Sequence, residues 1–235
     1  MKVRSLDQLV GIGLYTPAEA ARLAAVPAAK ISRWLTGHTV KGRFYEPLWR
    51  SQIDLKDGKV YLGFRDLMEV RVADALMNVG VSAIRVRAAI EMAREVYGLD
   101  HPLSTESFRH NGRDIFMRVI ERDANGTERE DLLNTFRRQY EFAAVVEPSL
   151  KHIEFDHAGT PRLWWPRGKG TQIVVDPGRS FGQPIETSSS VPTSILAAAG
   201  EHQGVELAAK AYDVSVAAIR RSMKFEAENK MRLAA

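Results

Sequence analysis

Cysteine is absent from the 235 residues, which excludes disulfides, thiolate nucleophiles and thiolate metal ligands and points to a reducing compartment. No apolar run approaches the roughly 20 residues that a membrane-crossing helix needs. The first residues also lack the apolar stretch and small-residue cleavage site of a secretory signal, so a soluble cytoplasmic chain is expected. Histidine is scarce and scattered, and only His152 and His157, with Glu154 and Asp156, form a cluster of possible metal ligands. On a strand, His152, Glu154 and Asp156 would share one face while His157 takes the other, a poor arrangement for a metal. Gly168-Lys169-Gly170-Thr171 lacks both the earlier glycine and the Ser/Thr directly after lysine that a phosphate loop requires. Neither a nucleophile elbow nor a Ser/His/Asp set is recognisable. The expectation is a protein that is not an enzyme, with no cofactor and no metal.

What is present is a folded composition, 45% hydrophobic and 26% charged, in a chain long enough for two cores. Its net charge of +4 is unevenly spread. Residues 1–60 carry ten Lys/Arg against five Asp/Glu, and residues 161–235 carry ten against seven. Residues 61–160 reverse the sign, with thirteen against seventeen. Both ends are therefore suited to phosphate and the middle is not.

The stretch ELAAKAYDVSVAAIRRSM, residues 206–223, predicts two short helices joined by a tight turn. Ala208, Ala209 and Tyr212 fall at helical spacing, Val214 turns inward, and Ser215 caps a helix with Ile219 and Met223 on one face. Ser215, Ala217, Arg220, Arg221 and Lys224 are left facing outward. That is a helix-turn-helix, whose second helix fits the DNA major groove. EAARLAAVPAAKISRWL, residues 19–35, echoes it. Ala20 and Ala21 align with Ala208 and Ala209, Val26 with Val214, Ile31 with Ile219 and Arg33 with Arg221. Thr16, Pro17 and Glu19 form a capping box at its start, and Gly37 stops it. Lys30, Ser32 and Arg33 are its candidate DNA contacts.

Around the Asp57-Gly58 turn, LWRSQIDL and KVYLGF predict a β-hairpin wing. Phe44, Tyr45, Trp49 and Tyr61 are expected to anchor it, leaving Arg43, Arg50 and Lys59 for phosphate. Helices are expected over FRDLMEVRVADALMNVG, with Leu67, Val70, Ala73, Ala75 and Leu76 inward, and over AIRVRAAIEMAREVYG behind Ser82, with Ile84, Val86, Ile90 and Val96 apolar. Residues 104–122 predict two short strands about Asn111-Gly112. Leu132 to Val146 allows a helix, or a helix and a strand. IEFDHAGTPRLWW and TQIVVDPGRSFGQPIE each predict a hairpin, a helix runs from Val191-Pro192 to about Ala199, and Gly200 and Gly204 bracket a turn. The tail EAENKMRLAA is expected to end a helix and then fray. The fold class expected is mainly α with small β-hairpins (α+β), carrying two helix-turn-helix domains. The expected division is 1–125, a connecting region 126–170, and 171–235.

YTPAEAARLAAVPAAKISRWLTG followed by YLGFRDLMEVRVADALMNVGVSAIRVRAAI resembles the MerR-like winged helix-turn-helix. IVVDPGRSFGQPIE, SVPTSILAAA and the hairpin from Val205 to Phe225 resemble the small DNA-binding domain of antitoxins paired with PIN-domain toxins. The order of the two modules is similar to two-domain antitoxins of the VapB type. That resemblance implies a protein that represses its own operon, neutralises a PIN-domain ribonuclease and binds double-stranded DNA as a homo-oligomer, a dimer being expected. In the tail, Lys230 and Arg232 beside Met231 and Leu233 are candidates for the toxin's acidic mouth. Two other readings stand beside this one: a stand-alone MerR-like regulator responding to a small molecule, and an enzyme using the acidic middle.

Overall fold

A computed structural model describes residues 6–122 and 139–234. The first helical pair is α1 (Pro17–Ala24) and α2 (Ala28–Thr36), followed at once by the strands β1 (His38–Val40) and β2 (Arg43–Tyr45). Three longer helices come next: α3 (Phe64–Asn78), α4 (Ala83–Tyr97) and α5 (Glu106–Arg122). Beyond residue 138, α6 (Gln139–Leu150) leads into β3 (Ile153–Phe155), β4 (Pro161–Trp164), β5 (Ile173–Val175) and β6 (Pro184–Glu186). The chain closes with α7 (Thr193–Gln203), α8 (Val205–Ala211) and α9 (Val216–Ala234). This is an α+β fold, helical in the main, with one two-stranded and one four-stranded antiparallel sheet among the described residues.

The organising helix of the larger core is α3. Phe64, Leu67, Met68, Val70, Val72, Ala73 and Leu76 are all buried, so it is covered on nearly every side. Its first turn also buries Asp66, whose carboxylate accepts from the Gly63 amide at 2.8 Å and the Gln52 amide at 3.0 Å. Ser51 Oγ at 3.1 Å, Trp49 Nε1 at 2.9 Å and His101 Nε2 at 2.8 Å also meet it. Burial works to raise this carboxyl, but His101 and the amide donors outweigh it and hold Asp66 below the usual carboxylate range.

Asp66 also explains why the hairpin expected around Asp57-Gly58 does not form. The flanking amides of Gln52 and Gly63 donate to its carboxylate rather than to carbonyls of an opposite strand, and Leu48, Trp49, Ile53 and Leu62 turn into the interior. Asp57-Gly58 remains a turn, with the Lys59 amide on Asp57 Oδ1 at 3.1 Å.

Residues 104–122 do not form strands either. From Glu106 onward they are α5, and Thr105 Oγ1 accepts the Phe108 amide at 3.2 Å as its cap. Phe108, Gly112, Ile115, Phe116 and Val119 recur at helical spacing on the buried face. Gly112 marks close packing and not a turn, since a Cβ there would sit 3.0 Å from the Phe108 ring. On α4 the buried stripe is Val86, Ala89, Ile90 and Ala93, while Ile84 and Val96 lie off it and are exposed. The alternative left open for Leu132 to Val146 becomes helix from Gln139; its earlier residues lie outside the described ones.

The two hairpins expected in the second half join into one sheet, β3-β4-β5-β6, stitched by the pair Trp164↔Val175. Trp164 and Val175 belong to the larger core, whereas Leu196, Ala199, Ala208, Ala209 and Ile219 form a small core of their own. Gly200 lies inside α7 and not in a turn, where a Cβ would meet Ile219 at 2.7 Å; the bend is made at Gly204, φ +85°. Tyr15 ties the halves together, its buried hydroxyl donating to the Gly182 carbonyl at 2.6 Å. Burial, and after it the charges of Glu19 and Asp176, push that phenol well above its ordinary value.

Candidate nucleic-acid interface

The first helical pair is built as its capping residues require. Thr16 Oγ1 accepts the Glu19 amide at 3.3 Å, Glu19 returns a carboxylate oxygen to the Thr16 amide at 2.8 Å, and Pro17 takes the first helical position. Ala25, in the left-handed region at φ 57°, turns the chain, and α2 then buries Ile31, Trp34 and Leu35. Its other face carries exposed Arg33 and half-buried Ser32. Lys30 does not reach outward. Its ammonium lies 2.7 Å from Asp74 on α3 and 5.1 Å from the centroid of the Trp34 ring, so it clamps α2 to the core.

A β-hairpin does stand directly after α2, ahead of the Asp57-Gly58 turn where the wing was expected. β1 and β2 pair in register from His38↔Tyr45 to Val40↔Arg43, leaving a two-residue tip at Lys41-Gly42. Both tip residues have positive φ, 48° and 78°, as a type I′ hairpin demands. At Gly37 a Cβ would stand 2.5 Å from the Tyr45 carbonyl oxygen, so glycine lets the hairpin fold tightly against the end of α2. Tyr45 stacks on His38 with centroids 5.4 Å apart. Trp49 is buried as an anchor, but Phe44 is 53% exposed. Arg43 is exposed, its guanidinium 5.4 Å from the Tyr45 ring, and Arg50 is exposed on the following loop. Lys41, at the exposed tip, was not singled out in the sequence, although Lys-Gly between two short β-prone runs was the available signal.

The second hairpin repeats the first in its buried positions. Ala20, Ala21 and Ile31 are buried, and so are Ala208, Ala209 and Ile219; Val26 is buried and Val214 half-buried. Asp213 stands where Ala25 does and takes the same left-handed conformation, φ 52°. Ser215 Oγ accepts the Ala218 amide at 3.1 Å, the cap expected of it. Ser215 at the cap, and Ala217, Arg220 and Lys224 along α9, are exposed. Arg220 is 3.9 Å from Glu206, and Lys224 is 4.0 Å from Glu228.

Arg221 differs from its echo Arg33. It turns inward to Glu186, 3.2 Å away, whose side chain is only 1% exposed. Burial works to raise the Glu186 carboxyl, but hydrogen bonds from Ser188 and Ser189 outweigh it and hold it low, ready to pair with Arg221. Of the basic residues named as candidates from the sequence, Arg33, Arg43, Arg50 and Lys59 in the first half and Arg220 and Lys224 on α9 are exposed, joined by Lys41 at the hairpin tip, while Lys30 and Arg221 serve as internal clamps.

The tail does not fray in the way expected. α9 continues to Ala234 because its middle is fastened: Thr193 Oγ1 donates to Glu226 at 2.5 Å, and Arg167 reaches Glu228 at 3.1 Å and Asn229 at 3.0 Å. Lys230, Met231 and Arg232 are exposed beyond that point. Among the described residues, no group of three or more His, Asp and Glu is placed to hold a metal, and no helix is long and apolar enough to cross a membrane.

No family model matches the chain. A Mycobacterium tuberculosis protein with the provisional name antitoxin VapB45 is 26% identical over 201 residues, covering 80% of this chain and 82% of that protein. The crystal structure of Rv2018 from Mycobacterium tuberculosis superposes with a TM-score of 0.63 at 22% identity, covering 91% of this chain and 99% of that one. The likeness to Rv2018 establishes the fold alone.

Proposed function

We propose that this protein is a DNA-binding antitoxin, which represses its own operon and neutralises a PIN-domain ribonuclease encoded beside it. The observation that carries the DNA reading is the repeated helical pair, in which buried Ala20, Ala21 and Ile31 match buried Ala208, Ala209 and Ile219, with exposed polar and basic side chains on each second helix. In a major-groove reading, Arg33 and Ser32 on α2 and Ser215, Ala217 and Arg220 on α9 approach base edges. Arg43, Lys41, Arg50 and Lys224 meet phosphates, and Lys30 and Arg221 hold the two second helices in place. The working division is a winged unit over 1–125, a connecting region over 126–170 and a C-terminal unit over 171–235, acting as a dimer.

The antitoxin half of the reading is supported by the name of the Mycobacterium tuberculosis relative. Lys230 and Arg232, with exposed Met231, offer cations and an apolar anchor to an acidic metal-binding mouth. Truncation must spare the residues that fasten α9, so the informative variant ends at Asn229. It is expected to keep DNA binding and lose inhibition of the toxin made from the adjacent reading frame. DNA binding itself is tested by titrating an upstream fragment against salt, with log affinity falling by about 0.9 per neutralised phosphate for each log unit of salt. A flat response removes the proposal.

A stand-alone regulator answering to a small molecule is the second reading. An open cleft of about 720 Å³ beside the wing, lined by Trp49, Arg87, Glu91 and His101, favours it. Purification without any toxin, but with a bound ligand, would decide for it.

A further inference from the structure

A second cleft, of about 440 Å³, opens where α1, α3, the end of α6, β4 and the last turns of α9 converge. Arg71, Lys151, His152, Arg167 and Arg232 line it, against a single carboxylate, Asp74. That carboxylate is already engaged, by Lys30 at 2.7 Å and by Asn78 Nδ2 at 2.9 Å. Arg167 is engaged too, on Glu228 and Asn229.

Arg71 is the anomaly. It lies between Val70 and Val72 on the central helix, both fully buried, and its own side chain is half-buried. Its guanidinium sits 4.2 Å from the centroid of the Trp164 ring and 3.7 Å from the Met68 sulfur. Among the described residues no carboxylate pairs with it, and the charge acting on it from nearby is the like charge of Arg232. A desolvated cation is ordinarily compensated by an anion, and a ring face supplies only part of that compensation. Burial, followed by Arg232, pulls the guanidinium down to about 9, so it stays cationic at neutral pH while repelling its neighbour.

We propose that this cleft is a binding site for a small phosphate-bearing anion, held between Arg71 on its floor and Arg232 and Lys151 at its rim. The two planar guanidinium forks suit phosphate oxygens in pairs, and Lys151 adds a mobile point charge. Such a ligand would relieve the Arg71–Arg232 repulsion. It would also fasten the end of α9 to α3, joining the helix of the second hairpin to the core on which the first one rests.

The test is calorimetric titration of the full chain with sodium pyrophosphate, and separately with adenosine monophosphate, at chloride-matched ionic strength. One saturable site is expected, with a rise in Tm. Arg232→Gln and Lys151→Gln alter exposed side chains, and each is expected to weaken binding about tenfold, the loss of one charge-assisted contact. Arg71→Met keeps an unbranched chain against Trp164 and is expected to abolish binding; should it fail to fold, the two rim variants decide. Equal affinities for the two probes would mean recognition of phosphate alone, and tighter binding of the monophosphate would mean a nucleotide ligand. No saturable heat with either probe overturns the proposal. So does binding that survives both rim substitutions, or an effect of those substitutions confined to duplex DNA.

Discussion

Replacing Arg221 by alanine separates an internal clamp from a DNA contact. Glu186 presents two oxygens in a buried setting. Oε2 accepts from the amides and hydroxyls of Ser188 and Ser189, at 2.6 to 3.2 Å. Oε1 has Arg221 at 3.2 Å. Without Arg221, that oxygen is left buried and unsatisfied, at a cost of about 1–3 kcal/mol. Among the described residues the Arg221 Nε has no hydrogen-bond partner, so its removal offsets part of the loss and favours the lower end. For a chain of this size each kcal/mol lowers Tm by about 2–4 °C. Arg220→Ala is the control. Its side chain is 66% exposed and 3.9 Å from a Glu206 that is 75% exposed, so its stability should stay within about 0.5 kcal/mol of the parent. The assay is thermal unfolding beside binding to an upstream and a scrambled DNA fragment. Arg221→Ala should be less stable and bind DNA normally well below its lowered Tm, whereas Arg220→Ala should bind more weakly at unchanged Tm. An Arg221→Ala protein with parental Tm and the larger loss of DNA affinity would refute the reasoning.

Tyr15→Phe removes the buried hydroxyl that meets the Gly182 carbonyl at 2.6 Å, and should destabilise by about 1–3 kcal/mol in denaturant titration. An unchanged midpoint would mean the halves are not joined there. Burial raises the Glu69 carboxyl to about 7, from an unfolded value of 4.5. The stability linked to it is fully present below the unfolded value and lost as pH rises through about 7, an effect on the order of 1–3 kcal/mol. Glu69→Gln should flatten the fall in urea midpoint over that window, and an identical pH profile would count against it. Ala25→Gly relieves a left-handed alanine at φ 57° and should raise stability by about 0.5 kcal/mol after the larger entropy of the unfolded glycine chain is subtracted. A lowered Tm would show that the turn is not strained.

Much of the local structure was legible because it depends on neighbours within one or two turns. The Thr16–Glu19 capping box, the Ser215 cap, the Asp176-Pro177-Gly178 turn and the echo of Ala20, Ala21 and Ile31 in Ala208, Ala209 and Ile219 all follow from short-range spacing. The mainly helical α+β class was legible on the same grounds. The misreadings share a different cause. Asn111-Gly112 is a good turn dipeptide, yet Phe116 and Phe142 each pack edge to face against Phe108 beside that segment and keep it helical. Asp57-Gly58 does turn, but the strands it should join donate their amides to Asp66, a partner that lies outside the hairpin itself.

The candidate contacts divide in the same way. That α2 and α9 carry basic residues was written in the chain. Which of those residues face solvent was settled by acids far away in sequence: Asp74 draws in Lys30 and Glu186 draws in Arg221. The tail, too, extends as a helix through Arg167, which reaches Glu228 and Asn229 from another part of the chain. By itself, then, the sequence determined where helices start, where turns fall and which residues repeat, because caps and periodicity act over a few residues. The tertiary structure alone decided where Lys30 and Arg221 point, because a side chain's partner is chosen by proximity in space, and burying a charge costs less free energy when it is paired.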